Sequence, residues 1–332
     1  MSEHKPPTAY KVDDQELLLG FYKRLLWDRL VPRIPRAITP NTITFIGIGF
    51  AVAGAVAAGL AMAGEPWLYA LAALFFMVYL TADNVDGPHA RRTGQASPLG
   101  EFLDHGLDGA ASTAILLATC FMLKLDGVLM VALCAVGGLG FSIVFWEQFR
   151  TGLLVIPKVS TTEGVTLLAV CLVIVAGFGD PHWARFDLGE WTPGTILVVC
   201  ILTGYTAACV PPIVRTLRAG HPGWEILTVV SVLVAEAGFV LLGAHAIAPS
   251  IAVWLVGGDL TCRIIVLRHR GQRGPILSPQ LWGVLAPLGL AAAGVWTADG
   301  WAVVALGIVA ASYIGTLVRG GGELLARARA GT

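Results

Sequence analysis

The sequence predicts an all-α polytopic membrane protein with about ten transmembrane helices. Of its 332 residues, 56% are hydrophobic and 13% are charged, and the mean hydropathy is +0.74. A soluble core needs less apolar surface than this composition supplies. Apolar stretches long enough to cross a bilayer recur along the chain, at about residues 41–62, 66–83, 102–123, 126–146, 163–179, 193–211, 225–243, 247–267, 279–297 and 301–318.

The distribution of charge predicts that both termini are cytoplasmic. Lys and Arg concentrate in the cytoplasmic loops of membrane proteins. With a cytoplasmic N-terminus, nineteen of the 22 basic residues fall in cytoplasmic segments. Lys124 and Arg185 fall on the opposite face, and Arg263 lies inside a predicted helix. The net charge is zero, so we expect no nucleic acid partner.

Four segments follow from this layout. Residues 1–38 precede the first span, and residues 15–31 within them mix apolar and basic side chains as a helix at the membrane interface does. Residues 39–211 contain the first six spans. Residues 212–318 contain four further spans, which we expect to support packing or dimerisation. Residues 319–332, rich in Gly, Arg and Ala, are expected to form a disordered or frayed cytoplasmic tail.

One segment combines acidic residues, glycines and an arginine at helical spacing. Its pattern is Asp83-x2-Asp86-Gly87-x2-Ala90-Arg91-x8-Gly100-x3-Asp104-x3-Asp108. An ionised Asp near the bilayer centre costs about 2.5 to 3.5 kcal/mol, so four uncompensated carboxylates would destabilise the fold. Asp104 and Asp108 share one helix face, and Asp83 and Asp86 end the preceding helix. Two helix ends can therefore hold one metal site, and oxygen ligands without cysteine favour Mg²⁺ or Mn²⁺. The competing interpretation is a polar network that serves only helix packing.

This spacing resembles the signature of the CDP-alcohol phosphotransferase family. Within that family, Ala90–Thr93 and Ser97–Gly106 are similar to the choline and ethanolamine phosphotransferase branch. Further stretches are similar to the same branch, namely Pro40–Thr44, Trp146–Gln148, Thr162–Glu163 and Asp259–Arg263. The chain departs from the branch at Pro88, His89 and Asn84, which are neither metal nor phosphate positions.

The resemblance implies that the six spans of residues 39–211 form the catalytic core, and it implies a role for each motif residue. The ligands of two Mg²⁺ or Mn²⁺ ions would be Asp83, Asp86, Asp104 and Asp108. Gly87 would allow close backbone approach to the nucleotide, and Ala90 would keep the adjacent wall small. Arg91 would bind phosphate oxygens as a planar fork, and Gly100 would leave matching space on the third helix. Asn41 is either a nucleotide contact or only a helix N-cap.

Two residues are candidates for the catalytic base. His105 follows a predicted metal ligand, and its near-neutral intrinsic pKa suits removal of a hydroxyl proton. Its alternative role is that of a packed, hydrogen-bonded histidine. Asp108 is the other candidate base. The resemblance implies that Glu163 orients or assists His105, whereas its alternative role is a favourable charge at a helix N-terminus.

The implied reaction transfers phosphocholine or phosphoethanolamine from CDP-choline or CDP-ethanolamine to diacylglycerol and releases CMP. The sequence does not separate choline from ethanolamine. One alternative uses CDP-diacylglycerol as donor and a polar alcohol as acceptor, and another is a metal-ion transporter. We also expect a homodimer, an active site that faces the cytoplasm, and a bacterial inner membrane, with the endoplasmic reticulum as the alternative location.

Overall fold

The computed structural model describes residues 11–178, 186, 187, 189, 191–221, 223–272 and 280–330. The described chain begins with strand β1 (Lys11–Asp14), followed by a short helical segment: α1 (Leu19–Tyr22), a π-helical turn (Lys23–Trp27), α2 (Asp28–Leu30) and a 3-10 turn (Val31–Arg33). The longer helices are α3 (Pro40–Met62), α4 (Leu68–Thr93), α5 (Pro98–Met122), α6 (Gly127–Thr151), α7 (Thr161–Phe178), α8 (Pro193–Arg218), α9 (Trp224–Leu241), α10 (Ile247–His269), α11 (Gln280–Ala292) and α12 (Ala298–Ala330). Strand β2 (Leu153–Ile156) lies between α6 and α7.

The predicted all-α membrane class is confirmed. Within the described residues, seven helices are long and apolar enough to cross a bilayer, namely α3, α4, α6, α7, α8, α10 and α12. The other three predicted stretches correspond to α5, α9 and α11. Helix α5 carries the charged motif, which lowers its mean hydropathy. The count of ten spans and the cytoplasmic position of the termini stay predictions.

Local sequence explains where the helices around the motif begin and end. Thr39 and Ser97 cap α3 and α5, since each side-chain oxygen accepts the backbone N–H three residues ahead. Pro40 and Pro98 follow as first helical residues, a position where the missing N–H costs nothing. Gly94 ends α4 with φ 72°, in the left-handed region that glycine adopts without strain. A connection of only residues 94–97 therefore joins α4 to α5.

The N-terminal segment contains a strand pairing that the sequence did not predict. Strand β1 pairs in parallel with β2, so that Lys11 lies opposite Leu153. Helical turns are present where the interfacial helix over residues 15–31 was predicted, but they begin at Leu19 and extend to Arg33. Their location at the membrane interface stays a prediction. A four-residue pairing carries too little hydrophobic alternation to be recognised in sequence.

The prediction of a disordered or frayed tail over residues 319–332 is wrong for its described part. Helix α12 continues through this stretch to Ala330, and residues 331 and 332 lie outside the described chain. Leu324 is buried in a small core, and the Glu323 carboxylate pairs with Arg270, the residue that follows α10. Tertiary contacts therefore offset the low helix propensity of the glycines.

Three of the last four helices, α9, α10 and α12, pack directly on the first six spans, and α11 packs on α9 and α12. Helix α10 packs against α5 and α6 as well as against α9 and α12. Ion pairs reinforce two contacts between the two groups of helices: Arg150 on α6 pairs with Glu225 on α9, and Arg268 on α10 pairs with Glu101 on α5. Helix α3 packs against α4 and α5, and α7 packs against α4. The helices that carry the motif are thus enclosed from several sides.

Candidate active site

The motif lies on the adjoining ends of α4 and α5. Asp83 and Asp86 lie in the C-terminal half of α4, and Asp104 and Asp108 lie in the first turns of α5. Because residues 94–97 reverse the chain, both pairs lie toward the same end of the helices. Helix α3 packs against both α4 and α5 and forms a third wall.

Three side chains on α5 form a cluster with metal-ligand geometry. One ligand atom from each of Asp104, His105 and Asp108 lies within 4.8 Å of the others. His105 Nδ1 is 3.6 Å from Asp108 Oδ2 and 3.9 Å from Asp104 Oδ2. The exposed fraction of the side chain is 30% for Asp104, 23% for His105 and 21% for Asp108. They are therefore partly shielded yet accessible to a ligand.

The carboxylates on α4 complete the acidic site. Asp86 is 3% exposed, and it accepts the Thr44 hydroxyl at 2.5 Å and the Gly87 N–H at 2.6 Å. Asp83 is half-buried, and its charge interacts with those of Asp108, Asp104 and Asp86. The structure therefore joins Asp104 and Asp108 in one cluster, and Asp83 and Asp86 lie on the neighbouring helix, where their charges interact with that cluster. The cluster within 4.8 Å includes Asp104, Asp108 and His105, while Asp86 is engaged by hydrogen bonds.

The predicted nucleotide-contact residues lie beside these carboxylates. A Cβ atom at Gly87 would lie 3.5 Å from a guanidinium nitrogen of Arg91, so this exposed side chain reaches back over the glycine. Ala90 is buried one turn after Asp86. A Cβ atom at Gly100 would lie 3.5 Å from Asn41 Oδ1, so the first turns of α3 and α5 meet. The structure therefore pairs Gly87 with Arg91 on α4, and Gly100 on α5 with Asn41 on α3.

Two neighbouring residues of α4 hold the linker before α3. The Arg92 guanidinium donates to the carbonyl oxygens of Ile34 and Pro32. His89 Nε2 lies 2.8 Å from the carbonyl oxygen of Ile38. The departure from the family pattern at His89 therefore has a structural role, and Arg92 fixes the chain that leads into α3.

Glu163 interacts with the N-terminal segment. Its Oε1 accepts the Leu18 N–H at 2.8 Å, and its Oε2 accepts the Ser160 N–H at 3.0 Å. Among the described residues, the recorded side-chain contacts of His105 are with Asp104, Asp108 and the ring of Phe145, whose centroid is 5.4 Å away. The prediction that Glu163 assists His105 therefore stays a prediction.

Sequence reasoning missed two residues near the site. Thr44 lies in the quoted Pro40–Thr44 stretch, one turn into α3, and that position was the available signal. Glu16 gave no such signal. Its carboxylate accepts both the N–H and the hydroxyl of Thr162, each at 3.0 Å, and its charge interacts with that of Asp83. Burial raises the pKa of the Glu16 carboxyl.

Comparison with known proteins identifies the family. Residues 37–199, which include α3 to α7 and every predicted site residue, match the CDP-alcohol phosphatidyltransferase family. This part of the chain is a CDP-alcohol phosphatidyltransferase domain. Helices α9 to α12 lie beyond the matched residues.

Individual relatives match less than half of the chain. An uncharacterized CDP-alcohol phosphatidyltransferase class-I family protein of Schizosaccharomyces pombe is 34% identical over 154 residues, 44% of this chain and 40% of the relative. Cholinephosphotransferase 1 of Gallus gallus is 35% identical over 144 residues, 41% of this chain and 43% of the relative. Cholinephosphotransferase 1 of Xenopus laevis is 34% identical over 148 residues, 42% of this chain and 37% of the relative. The matches therefore span about two fifths of the length of these relatives.

The donor atoms of the site suit a hard divalent cation. Carboxylate oxygens predominate, as Mg²⁺ and Mn²⁺ require, and the cluster contains no thiolate. Within the described chain, neither Asp104 nor Asp108 forms an ion pair with Lys or Arg. Partly buried carboxylates without a Lys or Arg partner are expensive, so a bound cation would stabilise this arrangement.

Proposed function

We propose that this family member transfers phosphocholine or phosphoethanolamine from a CDP-alcohol to diacylglycerol and releases CMP. The cluster of Asp104, His105 and Asp108 beside the α4 carboxylates carries this proposal, because it combines cation ligands with a candidate base. Two relatives named cholinephosphotransferase 1 support the donor class. Donor and acceptor identity rest on these names and on the motif.

Cation binding is proposed to neutralise the negative charge of the CDP-alcohol. Two Mg²⁺ or Mn²⁺ ions held by the four aspartates would stabilise the charge on the pyrophosphate and on the departing CMP. The hydrogen bonds from Thr44 and Gly87 fix the orientation of the Asp86 carboxylate. Arg91 binds phosphate oxygens near Gly87, where the absence of a side chain lets the donor approach the backbone.

Proton transfer is assigned to His105. Its Nδ1 faces the Asp108 carboxylate, an arrangement that favours the tautomer with the proton on Nδ1. Nε2 then accepts the proton of the diacylglycerol hydroxyl, and the hydroxyl oxygen attacks the phosphorus that bears the alcohol. The bond from this phosphorus to the CMP oxygen breaks, and CMP leaves. Asp108 is the alternative base. In this proposal Glu163 orients or assists His105.

The location of the site determines how substrates arrive. Diacylglycerol is proposed to enter laterally from the bilayer, whereas the water-soluble CDP-alcohol enters from the cytoplasm. The basic residues on the motif side of the helices support this orientation. We further propose that the protein forms a homodimer. Its proposed location is a bacterial inner membrane, with the endoplasmic reticulum as the alternative.

One assay tests donor and acceptor together. Purified protein in lipid nanodiscs is incubated with labelled CDP-choline, CDP-ethanolamine or CDP-diacylglycerol and a panel of acceptors. We expect labelled phospholipid from a CDP-aminoalcohol with diacylglycerol. Product formed only from CDP-diacylglycerol and a polar alcohol would contradict the proposal, as would divalent-cation transport without any product.

A further inference from the structure

Helix α5 presents two different faces. Asp104 and Asp108 lie on the face that carries the site, while Phe102, Gly106 and Gly109 lie roughly opposite, according to the helical repeat of about 3.6 residues. Phe102, Gly106 and Gly109 are all buried. The glycines are thus interleaved in sequence with the site residues but are packed against other helices.

The glycine face of α5 lies almost in backbone contact with α10. A Cβ atom at Gly109 would lie 2.9 Å from Gly258 Cα, and a Cβ atom at Gly106 would lie 2.8 Å from Cys262 Sγ. Neither distance is compatible with a larger residue unless a neighbour moves. Small residues that permit close helix approach are typical of membrane interfaces. Helix α10 therefore sets how far α5 stands from the centre of the bundle.

Tyr313 on α12 fixes α5 along its axis. Its hydroxyl donates to the Gly106 carbonyl oxygen at 2.6 Å, and the residue is 5% exposed. Its ring also covers Gly258, since a Cβ atom there would lie 3.0 Å from the ring. Gly106 directly follows His105, so this hydrogen bond holds the turn of α5 that carries the candidate base.

A second anchor lies one turn closer to the start of α5. The Glu101 carboxylate accepts hydrogen bonds from Arg268 and from His269, the latter at 3.0 Å. Glu101 lies three residues before Asp104, and both basic residues are at the end of α10. The segment of α5 between residues 101 and 109 is therefore held at both ends by α10, with α12 behind it.

We infer that α10 and α12 position the site side chains of α5. Both helices lie beyond the residues matched by the family. The positioning elements are Tyr313 and the contact between Gly106 and Cys262. Neither Tyr313 nor Cys262 contacts a substrate in this proposal. They act through the backbone of α5 on Asp104, His105 and Asp108. The inference rests on the proposed function for its kinetic readout and on cation affinity for an independent one.

The first test removes one hydroxyl group and uses a matched control. Tyr313→Phe deletes the bond to Gly106, whereas Tyr69→Phe deletes a bond from a buried tyrosine to the Phe121 carbonyl oxygen, 3.2 Å away at the other end of α5. We expect Tyr313→Phe to lower kcat about tenfold while KM for the CDP-alcohol changes little, because a small misplacement of reacting groups is costly. Tyr69→Phe should leave kcat within about twofold of the original.

A cation measurement keeps this inference separate from the proposed reaction. Mn²⁺ affinity is measured by electron paramagnetic resonance on the same purified proteins. We expect the Kd for Mn²⁺ to be several-fold higher in Tyr313→Phe and unchanged in Tyr69→Phe. If the original protein catalyses no transfer, the proposed function fails, but this comparison still decides the inference. Equal Kd values and equal kcat losses in the two variants would overturn it.

The second test uses compensation across the helix contact. Gly106→Ala should lower kcat and Mn²⁺ affinity, because the new methyl group would collide with Cys262 Sγ. Cys262→Ala removes that sulfur. In the double variant, kcat and Mn²⁺ affinity should therefore be close to the values of Cys262→Ala alone. If the double variant stays as impaired as Gly106→Ala, the glycine acts directly at the site, and the inference is overturned.

Discussion

The Thr44 hydroxyl of α3 donates a hydrogen bond of 2.5 Å to Oδ2 of Asp86 on α4. Both residues are buried, and the other Asp86 oxygen accepts the Gly87 N–H. A carboxylate with both oxygens engaged has a fixed orientation. Helix α3, which supplies no predicted cation ligand, therefore determines the direction in which Asp86 presents its remaining lone pairs.

Replacing Thr44 tests this relationship. Thr44→Val keeps the shape of the side chain but removes the donor, and hydrogen bonds to charged groups contribute about 1.5 to 3 kcal/mol. We expect at least a several-fold loss of Mn²⁺ affinity and of turnover, with Thr44→Ser close to the original. Thr119→Val is the matched control, since within the described residues the hydroxyl of this buried threonine donates to the Ile115 carbonyl oxygen, at the far end of α5. An equal loss in the control would refute the role of Thr44.

The carboxylates should be individually essential. Asp83→Ala, Asp86→Ala and Asp104→Ala each remove a predicted ligand and leave phosphate charge poorly compensated, so turnover should fall below detection. Treatment with EDTA should abolish turnover reversibly, with recovery on addition of Mg²⁺ or Mn²⁺. Asp126→Ala is the control because Asp126 caps α6, on the opposite side of the membrane in our orientation. Full turnover in EDTA would exclude the cation role.

The base is tested by a double-variant cycle. His105→Ala should lower kcat by about 10² to 10⁴ while CDP-alcohol binding survives, because general-base catalysis typically contributes that much. If Glu163 acts through His105, then Glu163→Gln should add little to His105→Ala. If Glu163 only holds Leu18 and Ser160, the two losses should multiply. Turnover near the original in His105→Ala would make Asp108 the leading candidate.

Donor recognition is expected to depend on the shape of Arg91. Arg91→Lys keeps the charge but loses the planar fork, so KM for the CDP-alcohol should rise about tenfold while the Tm changes little. Arg92→Lys is the neighbouring control. Arg92 donates to the carbonyl oxygens of Pro32 and Ile34 in the linker, so this change should mainly lower the Tm and should have little effect on KM for the CDP-alcohol. Unchanged donor affinity in Arg91→Lys would reduce Arg91 to a membrane anchor.

The N-terminal segment should make stability depend on pH. Burial holds the pKa of Glu16 above its ordinary value of 4.5. A carboxyl whose pKa is raised on folding contributes its full stability below the unfolded value, and this contribution is lost as pH rises through the folded value. Glu16→Gln cannot ionise, so its Tm should improve relative to the original protein as pH rises from 4.5. Parallel Tm profiles for the two proteins would show that folding leaves this pKa unchanged.

The sequence by itself determined the membrane class, the approximate helix limits and the placement of Asp83, Asp86, Asp104 and Asp108 on two adjoining helix ends. These features are local. A helix in lipid must satisfy its own backbone, so apolar length, caps such as Ser97 and breaks such as Gly94 fix its limits without reference to the rest of the chain.

Only the tertiary structure decided which distant residues meet at the site. Thr44 bonds to Asp86, Glu163 bonds to Leu18, and Tyr313 bonds to Gly106, and each pair is far apart in sequence. The helical order of the chain after Arg319 belongs with these contacts, since helix packing there outweighs the glycine-rich local sequence. Helix association in lipid depends on close fit and on buried polar bonds between specific faces, and one-dimensional hydropathy does not encode which faces pair.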